Sequence, residues 1–64
     1  MKVREVIRLL ERDGWVWVAT RGSHRHFRHP WKPGKVTVSG SMGGDLSIGL
    51  ERSILRQAGL RGRP

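Results

Sequence analysis

The chain contains no cysteine and no tyrosine. Without cysteine there is no disulfide framework and no thiolate chemistry. No apolar run approaches the roughly 18 residues that a membrane-crossing helix requires. The segment Met1-Lys2-Val3-Arg4-Glu5 lacks the apolar stretch of a signal peptide, so the expected compartment is the cytoplasm. Acid is scarce as well. Only Glu5, Glu11, Asp13, Asp45 and Glu51 carry it, and none falls between Arg21 and Lys35.

Basic charge is abundant. Thirteen lysines and arginines give the 64 residues a formal net charge of +8. Such an excess implies a polyanion or an acidic protein as partner. An anionic membrane surface would call for a helix with one basic and one exposed apolar face. The apolar stripe of the first helix is needed for the core instead, because so short a chain buries only about 60% of its unfolded surface. The expected organisation is one domain over residues 1–60 and a frayed basic tail over 61–64.

Hydrophobic spacing divides that domain. Val3, Val6, Ile7 and Leu10 make one apolar face of a helix from Lys2 to Asp13, with Gly14 as its left-handed stop. Trp15 to Thr20 reads as a strand whose two faces are both apolar, so periodicity does not phase it. Core packing is the expectation for Trp15 and Trp17. After a short Arg21-Gly22-Ser23 turn, His24 to His29 reads as a second strand. Phe27 points inward there, and His24, His26 and Arg28 share the opposite, solvent face. Pro30 to Gly34 forms a hairpin connection with Trp31 exposed. Lys35 to Ser39 is a third strand with Val36 and Val38 inward and Thr37 outward. Gly40 to Gly44 reads as a flexible loop. A second helix spans Ser47 to Ala58, with Ser47 as N-cap, Gly59 as stop, and Leu50, Ile54, Leu55 and Ala58 along its inner side. The expected class is α+β, in the order α-β-β-β-α: a three-stranded antiparallel sheet with both helices on one face.

The densest chemistry lies in Gly22-Ser23-His24-Arg25-His26-Phe27 and the basic stretch around it. Histidine exchanges protons near neutral pH. Arginine and lysine hold phosphate. Together they suggest RNA as partner, with Arg21, Ser23, Arg25, His26, Arg28, Lys32 and Lys35 as candidate contacts. His24, His26 and His29 also spell a possible metal-ligand spacing. Strand alternation sets His29 opposite the other two, and no cysteine or nearby carboxylate completes a set, so no metal is expected.

The chain resembles the HicA toxins, the ribonuclease half of HicA–HicB toxin–antitoxin pairs. The likeness runs from Val3 to Leu60. It rests on Asp13-Gly14-Trp15, on Gly22-Ser23-His24 followed by His26-Phe27 and His29-Pro30, on Val36-Thr37-Val38, and on Arg52 to Leu60. The resemblance implies a double-stranded-RNA-binding-domain-like fold. It implies a metal-independent endoribonuclease that cleaves messenger RNA without a cofactor. The catalytic histidine of the family follows the Gly-Ser turn, which corresponds to His24. The implied partner is a HicB antitoxin, acidic where it meets the basic stretch. Many relatives carry Pro-His after the third strand; here Ser39-Gly40-Ser41-Met42 stands instead, with no second imidazole at that place.

The implied chemistry suits these residues. RNA supplies its own nucleophile, the 2′-hydroxyl. A positioned acid or base accelerates such a reaction by roughly 10²–10⁴, and cations stabilise the charge that develops. Two other readings of the residues remain open: a non-catalytic RNA-binding module, which needs no histidine, and an adaptor for an acidic protein.

Overall fold

The computed structural model describes residues 1–60; the expected basic tail lies outside the described residues. The order is α1 (Val3–Arg12), β1 (Val16–Arg21), β2 (His24–Arg28), β3 (Val36–Val38) and α2 (Ile48–Gln57). The strands form one antiparallel sheet in the order β1-β2-β3. Val6 and Leu10 of α1, Phe27 of β2, Val36 and Val38 of β3, and Ile54 and Leu55 of α2 belong to one buried cluster. Both helices therefore cover the Phe27 face, and the other face of the sheet is open.

Both helices end in the same way. The Trp15 amide donates to the Leu10 carbonyl and the Gly14 amide to that of Glu11, each at 3.0 Å. In α2, the Leu60 amide donates to Leu55 at 2.7 Å and the Gly59 amide to Arg56 at 3.1 Å. These are paired Schellman bonds, with a glycine in the left-handed position. Gly14 has φ +100°, and a methyl group there would lie 2.9 Å from Nε2 of His29. Gly14→Ala is thus expected to destabilise the fold by more than the usual glycine preference of about 1 kcal/mol. Urea or thermal unfolding would check it.

The α1 start is satisfied by a distant segment. Val3 and Arg4 donate their amides to the carbonyls of Gly44 at 2.9 Å and Met42 at 3.1 Å. The Glu5 carboxylate accepts the Lys2 amide at 2.7 Å. The segment expected to be a flexible loop, Gly40 to Gly44, is thereby stitched to the first helix. Ser47 caps α2 as expected, its hydroxyl accepting from the Leu50 amide at 3.2 Å.

Two apolar expectations fail. Leu50 is 55% exposed. Leu50 stands in the first turn of α2, where Ile48 is exposed as well, and the buried residues of the helix begin at Ile54. Trp17 is 40% exposed because it sits on an edge strand with solvent along one flank. Its ring leans on Phe27 at 5.8 Å, and its indole N–H donates to the Thr20 hydroxyl at 2.7 Å. Trp15 is buried, as expected.

Candidate functional site

The open face is organised by the β1–β2 hairpin. Gly22 has φ +58°, and no described non-glycine residue has positive φ. That pattern fits a type II′ turn, which requires glycine first and matches strand twist. The turn sets His24 directly across from Arg21.

Farther along, β1 carries a bulge. Trp17 pairs with Phe27, but Ala19, not Val18, pairs with His26. One extra residue reverses the alternation along β1. Trp17 stays on the helix side, while Ala19 and Arg21 turn to the open face. Without the bulge, the turn would still pair Arg21 with His24, but Val18 would oppose Phe27 and Trp17 would turn to the open face. Ala19 also leaves room for the imidazole opposite it.

The result is a depression of about 470 Å³ lined by Val18, Ala19, Arg21, His26, Arg28 and Lys35. No carboxylate lines it. His26 is half-buried, and its Nδ1 lies 2.9 Å from the Thr37 hydroxyl on β3, its cross-strand partner. Partial burial lowers the His26 pKa below the ordinary imidazole value, and the charges of Lys35, Arg21 and His24 lower it further. His24 lies two residues away on the same face, exposed, at the strand end. Its side chain forms no hydrogen bond with a described residue. Ser23 is exposed in the turn beside it.

Three of the residues singled out from sequence have other engagements. Arg25 lies on the helix-side face, where Nη1 donates to the carbonyls of Gly40 at 2.6 Å and Ser23 at 3.3 Å. Its guanidinium also stands 5.8 Å from the Trp17 ring centre. His29 packs edge-on against Trp15 and Trp31. Its Nδ1 accepts the amides of Trp31 and Lys32, each at 3.2 Å, which assigns the proton to Nε2. Nε2 then donates to the Asp13 carbonyl at 2.7 Å.

Lys32 is the plainest departure from expectation. Its ammonium pairs with the Asp13 carboxylate and donates to the Ala58 carbonyl at 3.0 Å. Asp13 and Ala58 are the C-cap residues of α1 and α2. One cation thus joins both negative helix ends. Lys32→Met is expected to cost about 1 kcal/mol of stability and to leave the affinity of the open face for a polyanion unchanged. Thermal unfolding and salt-dependent binding would check both halves.

Thr37 is the residue whose part was not foreseen. Its outward position was legible from alternation, but its pairing with His26 depends on register. The arrangement as a whole brings two imidazoles and three cations to one face of a sheet, Lys32 and Arg25 aside. No curated protein matches the chain. The family model described as the HicA toxin of bacterial toxin–antitoxin matches residues 3–60 of the 64. The chain therefore belongs to the HicA toxin family, and it is the toxin side of a toxin–antitoxin system.

Proposed function

We propose that the protein is a metal-independent endoribonuclease that cleaves messenger RNA on the open face of its sheet. The observation that carries this reading is the gathering of Arg21, His24, His26, Arg28 and Lys35 on one carboxylate-free face. Arg21, Arg28 and Lys35 hold the phosphates flanking the scissile bond, and the Ser23 hydroxyl donates to a phosphate oxygen. His24 moves the proton. It is exposed, it is next to the Gly22-Ser23 turn, and its ring is uncommitted. RNA supplies the 2′-hydroxyl nucleophile, so proton transfer and charge stabilisation suffice for the chemistry.

The antitoxin partner in this reading is a HicB-type protein with an acidic surface over the same face. Complementary charge would speed its association. Binding the folded toxin alone would also stabilise a small domain by mass action.

Labelled single-stranded RNA incubated with the purified protein in EDTA tests the reading. Cleavage to a 2′,3′-cyclic phosphate is expected. Salt-sensitive binding with intact RNA would instead assign a non-catalytic RNA-binding module. No affinity for RNA at low salt would leave an adaptor for an acidic protein.

A further inference from the structure

The geometry points to His26 as a second catalytic imidazole, the general base that takes the 2′-hydroxyl proton through Nε2, while His24 protonates the leaving oxygen. This inference rests on the ribonuclease reading and divides its proton transfers between two residues. It gives this chain an imidazole pair built along one strand, although none follows β3.

Three observations carry it. The first is fixation. The His26 Nδ1 lies 2.9 Å from the Thr37 hydroxyl, which can accept a hydrogen bond and lock the ring. His24 has no such anchor among the described residues.

The second is the tautomer. Nε2 makes no hydrogen bond with a described residue, and the ring lines a depression that also contains Arg21, Arg28 and Lys35. Electrostatics favour a lone pair, rather than an N–H, toward a cluster of cations. The proton therefore sits on Nδ1 and donates to Thr37, leaving Nε2 as the free base. The lowered pKa has causes in the same surroundings, partial burial first and then Lys35, Arg21 and His24, and it favours the neutral ring.

The third is spacing. Residues two apart on a strand stand about 6.6 Å apart along it and share a face. Two imidazoles so placed can reach opposite sides of one phosphate by hydrogen bonds of about 2.6–3.2 Å. In the step, the 2′-oxygen forms a bond to phosphorus as its proton passes to His26 Nε2. The bond from phosphorus to the 5′-oxygen breaks, and that oxygen takes a proton from protonated His24. The products are a 2′,3′-cyclic phosphate and a 5′-hydroxyl. Proton exchange with water resets both rings. Thr37 is a positioning residue in this scheme.

The test uses the full chain with His26→Gln, which keeps a polar side chain of similar size, and Thr37→Val, which keeps shape and removes the hydroxyl. Folding is checked by circular dichroism, and cleavage is followed against pH in EDTA. For His26→Gln we expect a loss of about 10²-fold or more in kcat, a much smaller change in RNA affinity at low salt, and disappearance of the acidic limb of the pH–rate profile. Thr37→Val should lower kcat without changing KM and should retain that limb. Unchanged kcat and an intact acidic limb in folded His26→Gln would overturn the assignment while leaving the ribonuclease reading in place. Absence of cleavage by the wild-type protein would overturn both. Nitrogen NMR of the His26 ring gives an independent readout. A proton on Nδ1 is expected, and a proton found on Nε2 at neutral pH would contradict the base assignment.

Discussion

His24→Ala is expected to reduce RNA cleavage by about 10²–10⁴-fold while the fold survives. The size follows from the loss of the proposed proton donor at the leaving oxygen, which no other described residue replaces. Lys35, Arg21 and Arg28 are given the holding of phosphate in this mechanism, not the transfer of protons. The fold survives because the His24 side chain is exposed and forms no hydrogen bond with a described residue, while the backbone pairing with Arg21 is untouched. Surface changes of that kind alter stability by about 0.5 kcal/mol or less. Cleavage assays paired with thermal unfolding check both parts. RNA affinity should fall little, because the phosphate-holding cations remain. Full activity in a folded His24→Ala protein would remove this residue from the mechanism.

Phe27→Ala is expected to remove a large share or all of the stability of the fold. Phe27 is fully buried at the centre of β2, between Trp17 on one neighbouring strand and Val36 on the other. Truncating such a side chain costs about 3–5 kcal/mol through lost burial and the cavity left behind. A domain of this size has a total stability of roughly 3–10 kcal/mol. The loss therefore consumes a large share of the total or all of it. Phe27→Leu, with a smaller volume change, should remain folded but less stable. Circular dichroism melts separate the two cases. A Phe27→Ala protein that melts within a few degrees of the wild type would show that the core does not depend on this ring. The consequence for function is direct, since Phe27 fixes the alternation that presents His26 and Arg28 to the open face.

Much of this was legible in the sequence, for reasons visible in single residues. Val3, Val6, Ile7 and Leu10 have unambiguous helical spacing, and all four are buried. Phe27 is the only large apolar residue of β2, so it phases that strand by itself. Val36 and Val38 phase β3 similarly. The first strand is not phased by its sequence because both of its faces are apolar, and the bulge at Val18 adds a change of register that no residue pattern announces. Its alternation reverses partway, so no single parity describes it. Trp17 stays on the helix side, opposite Phe27, only because of that reversal.

The basic residues were harder to sort. Composition identifies a polyanion-binding chain but does not say which cations are already paired. Arg25 and Lys32 have the same sequence character as Arg28 and Lys35. Folding brings the Gly40 carbonyl to Arg25, and Asp13 and the Ala58 carbonyl to Lys32. These partners lie 15, 19 and 26 residues away in the chain, beyond the reach of any local pattern. The three histidines divide along the same lines. His29 is held between aromatic rings and the end of α1, His26 is tied to Thr37, and His24 is free of described partners.

The central claim is that the open face cleaves RNA by attack of its own 2′-hydroxyl, with imidazoles moving the protons. The most direct measurement compares two RNA substrates in EDTA, one all-ribose and one with a single 2′-deoxynucleotide on the 5′ side of a mapped cleavage position. The account predicts that the all-ribose strand is cut there to a 2′,3′-cyclic phosphate and a 5′-hydroxyl, and that the substituted strand is not cut at that position. Equal cutting of both strands, or products ending in a 3′-hydroxyl and a 5′-phosphate, would contradict it.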